Sequence, residues 1–488
     1  MMYRRYLLPT LISLLLCVSL FGQSSPRKPA YVPYPDAQPI LEALSDDLPA
    51  ELKGKSPDEL KAGWPGWIAR RDADIRKRLI QGDEDSLVNF LLFGTSFTKQ
   101  PRITGAQVIL LARVALQKGI GASLTAPSAE EAGHAAVLKA RMNDLMKGLS
   151  VPGTNERLLF AHHLVVAQKG FMPASPDGRE RIKTYLISSL ERVLGEQVGY
   201  AKALEEARLL GNPSEEFYER SKLYRNRGLS LDTSILPDYA LEEALKAMKA
   251  KGLLKEGSVR HIAIVGPGLD FTDKQEGYDF YPQQSIQPFA VVDSLIRLGL
   301  ALPGSLWLET LDLSPRVNGH LGRANRLAQR GAGYVVQLPR NLQAQWTTEA
   351  VRYWEHFGDQ IGVPATPVPI PADVSDVKVR AVRIKPSVVS RITPVDLNIV
   401  SQRLDLAPSE RFDLIIATNI LVYYDAFEQS LAMSNVRKML RDGGFLLCNN
   451  ALPEFPFLPL HATGYVTVAY SDRLNDGEHI VWYQKKGD

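Results

Sequence analysis

Residues 259–271 read VRHIAIVGPGLDF, and the fold turns on how this stretch is taken. Ile262, Ala263, Ile264 and Val265 are apolar without alternation. Such a run fits a strand buried on both faces, as in a parallel sheet. It stops at Gly266-Pro267-Gly268, where glycine lets the backbone turn sharply and keeps the space above it clear. A buried strand that opens into a glycine turn is where α/β sheets take nucleotide-like ligands.

Working toward the C-terminus, strand-like runs recur at 306–312, 377–384, 412–419, 445–449, 463–470 and 480–484. Helical patterns fall between most of them, at 288–300, 323–330, 347–357 and 426–440. Strand alternating with helix needs crossover connections and predicts a parallel sheet. Asn475-Asp476-Gly477, between the last two runs, is a hairpin signal. The expectation for 253–488 is an α/β domain whose parallel sheet finishes in an antiparallel hairpin.

Toward the N-terminus the grammar differs. From 41 to 252 the spacing of apolar residues is helical, which predicts an all-α domain. Ser56-Pro57-Asp58-Glu59 reads as a helix start, with Ser56 as cap and Glu59 closing a capping box. Pro237-Asp238 starts another helix, with Leu241, Ala244, Leu245 and Met248 on one face. Residues 24–40, rich in Ser, Pro and Tyr, predict an extended linker. Arg4 and Arg5 precede an apolar run over 6–21, followed by GQSSP, which predicts a signal peptide over 1–23. The run is shorter than the roughly 20 residues a spanning helix needs, so no stable membrane span is expected after its removal. The protein is expected in the periplasm or outside the cell. An uncleaved N-terminal anchor is the alternative.

Composition narrows the function classes. The chain has 488 residues, a net charge of +3, 45% hydrophobic and 23% charged residues, which is the balance of a globular protein. At about 150 residues per domain it holds two or three. No concentrated basic patch is present, so no nucleic acid partner is expected. Cys17 would leave with the signal, and Cys448, in FLLCNN, is expected to be buried. No HExxH, CxxC or GxSxG motif occurs, and His162-His163 lacks the i, i+4 spacing of a metal pair, so no metal site is expected. Gly94, Thr95, Ser96 and Lys99 do not match a phosphate loop and read as a capped turn between helices.

The chemistry gathers at strand ends. Asp312 closes LWLETLDLS, where a carboxylate accepts both hydroxyls of a ribose. Asp396-Leu397 in PVDLNIV suits an adenine, with a hydrogen bond at its edge and packing on its face. Asn419 ends FDLIIATN, and Tyr423 and Tyr424 follow at the mouth of the site.

Together these pieces resemble the class I S-adenosylmethionine-dependent methyltransferases, over roughly 258–486. The segment from FDLIIATNILVYYD to MLRDGGFLL is similar to the chemotaxis-receptor methyltransferases in particular. The resemblance implies a Rossmann-like seven-stranded sheet with S-adenosylmethionine as cofactor. Gly266, Gly268 and Asp270 would meet its methionine part, Asp312 its ribose, and Asp396 with Leu397 its adenine. Asn419 and Tyr423 would line the route to the methyl group, which would leave by in-line displacement. The acceptor is not named by the sequence; small molecule, lipid and protein side chain are all open. Residues 362–372 and 278–281 are candidates for its rim.

The chain also departs from the family. Ile264 stands where an acidic residue is usual, and Thr418 replaces the arginine before Asn419. Asp270 occupies the third glycine position, either as a polar contact to the cofactor or as a turn residue that crowds the site. A dinucleotide enzyme would want GxGxxG, but its last glycine is Phe271. The other alternative is an exported, non-catalytic binding or scaffold protein on a degenerate methyltransferase fold.

Overall fold

The computed structural model describes residues 28–103, 107, 128–209, 229, 234–272, 278–372, 374–473 and 476–487. The expected signal peptide, Cys17, residues 24–27 and Asn475 lie outside the described residues.

The described chain begins with β1 (Pro29–Tyr31), α1 (Tyr34–Ala43) and a long helix, α2 (Pro57–Phe93). Helices α3 (Ala129–Ser150), α4 (Glu156–His162), α5 (Pro176–Leu209) and α6 (Ile235–Ala250) follow. Then come β2 (His261–Val265), α7 (Gln287–Arg297), β3 (Trp307–Asp312), α8 (Pro315–Gln329), β4 (Tyr334–Asn341) and α9 (Thr348–His356). After β5 (Gly362–Ala365), β6 (Val377–Ile384) and α10 (Pro386–Val389) the chain enters β7 (Ile392–Asp396), β8 (Gln402–Leu404) and β9 (Phe412–Ala417). It ends with α11 (Ala426–Met439), β10 (Leu440–Cys448), β11 (Leu460–Ala469) and β12 (Gly477–Lys485).

Seven strands form the central sheet, in the order β11-β12-β10-β9-β2-β3-β7. β7, β3, β2, β9 and β10 run parallel, while β12 runs antiparallel to both β10 and β11. Numbered along the chain, this is the doubly wound order three-two-one-four-five, with the last strand reversed and slotted before the sixth. The fold is a Rossmann-like, doubly wound sheet with an antiparallel C-terminal hairpin and helices before it. Both faces are covered. Ile262 and Ile264 join one core with Leu414, Ile416 and α7, and Ala263 and Val265 join the other with Ile415, Ala417 and α11. That explains the unbroken apolar runs: each strand alternates faces, but both faces are dry.

The third central strand is β7, not the run at 377–384. That run, β6, lies in a separate three-stranded antiparallel sheet, ordered β4-β6-β5. Pro394 hides β7 in the sequence, and a proline is tolerated there because β7 is an edge strand. Of the two stretches expected at an acceptor rim, residues 362–365 form β5, and Tyr278, Asp279 and Tyr281 are buried.

The stretch expected as an extended linker is docked instead. β1 pairs with β8, and α1 buries Ala37, Ile40 and Leu41 against the core that holds α11. Its prolines misled because Pro35 sits in the first helical turn, where the missing N–H has no partner to lose. The helical region is not separate from the sheet either. α6 packs its Leu241, Ala244, Leu245 and Met248 face into the sheet core. α2 is shared along its length, which is about 55 Å at 1.5 Å per residue. Its start is fixed by the expected capping box between Ser56 and Glu59. Trp64, Trp67, Ile68 and Ile75 pack on the sheet side, while Leu87, Phe90 and Leu91 pack with α3, α4 and α5. No described helix is long and apolar enough to cross a membrane.

Candidate functional site

The parallel strands end on one edge of the sheet, and a pocket of about 490 Å³ opens there. Gly266 and Gly268 follow β2 with φ of 64° and 67°, a left-handed conformation that favours glycine. The Gly266 N–H donates to the Leu311 carbonyl, so the turn is pinned to β3. Of the residues expected at the site, Gly266, Gly268, Asp312, Leu397 and Tyr423 line the pocket. Val265, Leu311, Leu313 and Ile399 make its floor apolar.

Asp312 is the polar centre of this wall. It is 4% exposed. One carboxylate oxygen, Oδ1, accepts from the Ser314 N–H at 2.7 Å. The other, Oδ2, is buried without a hydrogen bond of good geometry, and the Gly268 N–H is the further donor that faces the carboxyl. Burial, together with the charge of Asp396, raises this carboxyl from the ordinary 3.8 to about 7. A buried acceptor left open in a pocket is costly unless a ligand donor meets it.

Three of the expected residues are placed elsewhere. Asp270 is buried behind the turn, where its carboxylate accepts from the Tyr281 hydroxyl at 3.0 Å and from Gln284 Nε2 at 2.9 Å. Gln284 also donates to the Gln337 carbonyl, so Asp270 is linked through Gln284 to β4. Asp396 stands at the end of β7 with its side chain 59% exposed, and its Oδ1 accepts from Arg76 Nη1 at 2.7 Å. Asn419 is exposed, with a φ of 58°, and its N–H donates to Asn449 Oδ1. Asn449 in turn donates to Glu478 on β12, so the turn after β9 is held by the hairpin. Thr418 accepts from Gln287 at the start of α7.

Beyond the apolar floor, three lining residues were not among those expected. Ile420 reaches over the glycine turn, while Tyr424, expected at the mouth with Tyr423, is buried beside it. Leu79 of α2 and Leu229 come from the helical region. Nothing in their spacing marks them, because the pocket contact depends on where α2 lies across the sheet. Arg78, one residue before Leu79, donates to the Tyr423 carbonyl at 2.8 Å.

No protein-family model matches the chain, and no curated protein is similar to it in sequence. Several solved structures are similar to it in structure only. One is a TehB-like SAM-dependent methyltransferase from Corynebacterium glutamicum, with 9% identity over 51% of this chain and 98% of that one, and a TM-score of 0.23. Another is the magnesium protoporphyrin IX methyltransferase from Synechocystis with bound SAH, at 10% identity, 56% and 88% coverage, and a TM-score of 0.25. The CMeT domain of the citrinin polyketide synthase is similar over 94% of this chain and all of that one, at 11% identity and a TM-score of 0.29. Likenesses this distant add nothing to the strand order, on which the fold rests.

The residues present fit an adenosine-type cofactor. The open Oδ2 of Asp312 is an acceptor for a hydroxyl donor, the two glycines leave the turn bare, and the apolar floor suits the face of a base.

Proposed function

We propose that the protein is an S-adenosylmethionine-dependent methyltransferase whose acceptor is still to be identified. The unpartnered Oδ2 of Asp312, buried in a pocket at the end of β3, carries this reading. S-adenosylmethionine, when bound, would supply an electrophilic methyl group whose leaving group is a positively charged sulfur. Asp312 accepts from the ribose hydroxyls, and Leu397 with Ile399 packs on the base. Gly266 and Gly268 give the methionine part room. Tyr423 and Tyr424 screen the reacting end from water, which matters because transfer to an enclosed acceptor rests chiefly on positioning. With Thr418 in place of the family's arginine, a receptor-glutamate acceptor has no support.

Calorimetry with S-adenosylmethionine on the folded full-length chain tests the reading. Saturable binding at micromolar ligand is expected; no heat at high micromolar ligand rejects it. The second reading, an exported binding protein that transfers nothing, is favoured by one observation: the Asp270 carboxylate is engaged by Tyr281 and Gln284 behind the glycine turn. Binding without any methyl loss, across small-molecule, lipid and peptide acceptors, would select it. Export belongs to both readings. Sequencing the mature N-terminus after cell fractionation checks it, and an intact Met1 in the cytosol would overturn it.

A further inference from the structure

α2 enters the pocket wall between two carboxylates that it joins. Arg76 Nε donates to both oxygens of Asp72, at 3.2 and 3.1 Å, and Arg76 Nη1 donates to Asp396 Oδ1 at 2.7 Å. Nη1 also reaches the Leu313 carbonyl, and Nη2 reaches Gln402 Oε1, both at 3.4 Å. Asp72 is itself buried and fixed, because it accepts from Asn398 Nδ2, Ser401 Oγ and the Tyr31 hydroxyl. The guanidinium is therefore clamped from behind, and its free edge is presented to Asp396. A guanidinium held this way fixes the place of the one carboxylate oxygen, Asp396 Oδ1, that its Nη1 meets.

Two features tie this pair to the ligand. Asp396 and Asp312 are Cα partners on β7 and β3, so they stand at one level of the sheet edge. Leu397 follows Asp396 directly and lines the pocket. With Oδ1 taken by Arg76, Asp396 has one oxygen left for a donor such as the exocyclic amine of a base.

We infer that Arg76, on a helix outside the sheet, is a positioning residue of the cofactor site: it aims Asp396 at the base and balances its charge beside Asp312. The inference rests on the cofactor reading above for the identity of the ligand. The groups that face Asp312 are few. Asp396 on β7 and Arg316 on α8 act on its charge, the Ser314 and Gly268 N–H groups lie on its own edge, and Tyr424 packs across the pocket. From α2, Arg76 and Asp72 act through Asp396. Removing the Arg76 charge leaves Asp396 uncompensated, which makes ionisation of Asp312 harder. The predicted signature is a shift in pH dependence, which a merely structural arginine would not produce.

The test is calorimetry of the full chain with S-adenosylhomocysteine over a pH series. Arg76→Met should weaken binding at least fivefold near neutral pH and move the pH midpoint of affinity upward. Arg76→Lys, which keeps the charge, should restore the midpoint. Arg76→Met with Asp396→Asn should bind no worse than Asp396→Asn alone. An Arg76→Met loss equal at every pH, or additive losses in the double variant, would overturn the inference. A ligand-free arm separates it from the cofactor reading. In urea unfolding, Arg76→Met should lose more stability at about pH 8 than at about pH 6, a window above the ordinary carboxylate range of its direct partners Asp72 and Asp396, and the difference should vanish in an Asp312→Asn background. A wild-type chain that binds no S-adenosylhomocysteine rejects the cofactor reading. A urea difference that persists without Asp312 rejects the coupling.

Discussion

Asp312 and Asp396 are register partners on adjacent strands, yet they occupy opposite environments. Asp312 is buried with one oxygen unmatched, and Asp396 is half in water and held by an arginine from a distant helix. The sheet brings two like charges to one edge, and the rest of the chain makes them unequal. The buried one suits a ligand that brings donors, and the exposed one is compensated before any ligand arrives. The predictions below follow from that asymmetry and from the way the glycine turn is packed.

Asp312→Asn keeps the shape and the acceptor for the Ser314 N–H but replaces Oδ2 with a donor. Affinity for S-adenosylmethionine should fall at least tenfold, about 1.4 kcal/mol. The ligand-free protein should melt no lower than wild type, because a buried charge without a partner has been removed. Calorimetry and thermal denaturation on one preparation check both halves. Unchanged affinity would refute the ribose assignment.

The raised Asp312 carboxyl has a defined pH signature. Its folded value, about 7, lies above the ordinary 3.8, so the folded state holds this proton more tightly than the unfolded chain. Its contribution to stability is full below the unfolded value and is lost as pH rises toward about 7. Accepting two hydroxyl donors needs the ionised form, so ligand affinity should run the other way. It should rise up to about pH 7 and level off above it. A pH series of binding constants tests this, and Asp312→Asn should flatten the curve.

Gly266→Ala meets two obstacles. Its φ of 64° costs a side chain about 1–2 kcal/mol, and the new Cβ would lie 2.2 Å from Ile420 Cδ1. The second obstacle is the end of a flexible side chain, so Ile420→Ala should relieve it while leaving the first. Urea unfolding of the single and double variants should show partial recovery of stability. Full recovery would mean that the backbone carries no strain there.

Asp279 couples the helical region to the loop after the glycine turn. Its carboxylate accepts from the N–H and hydroxyl groups of Thr95 and Ser96, at 2.6–3.3 Å. Asp279→Ala removes a buried carboxylate from donors on half-buried Thr95 and exposed Ser96, and the expected cost is about 1–2 kcal/mol. Denaturant unfolding measures it. A cost below about 0.5 kcal/mol would show that water replaces the carboxylate freely.

Much of this was legible in the residues. The unbroken apolar runs of β2 and β9 announced strands dry on both faces, and Cys448 is buried, with its thiol pushed up to about 12 by burial. Gly266, Gly268, Asp312, Leu397 and Tyr423 line one pocket because strand ends in a parallel sheet converge on one edge. The reading faltered where one local pattern has two uses. Proline marked residues 24–40 as extended although Pro35 starts a helix, and Pro394 concealed an edge strand. Asp270 looked like a ligand because of its place beside the glycines, but its partners are Tyr281 and Gln284.

The sequence by itself determined the class of the sheet, the glycine turn that opens it and the carboxylate at the end of β3. These depend on side-chain period and on turn chemistry, which are local. Only the tertiary structure decided that a helix outside the sheet walls the pocket, with Leu79 in the lining and Arg76 on Asp396, 320 residues away. Contacts of that range leave no trace in periodicity. They are set by how the buried faces of α2 choose their place across the sheet, and that choice is made by packing over the whole core.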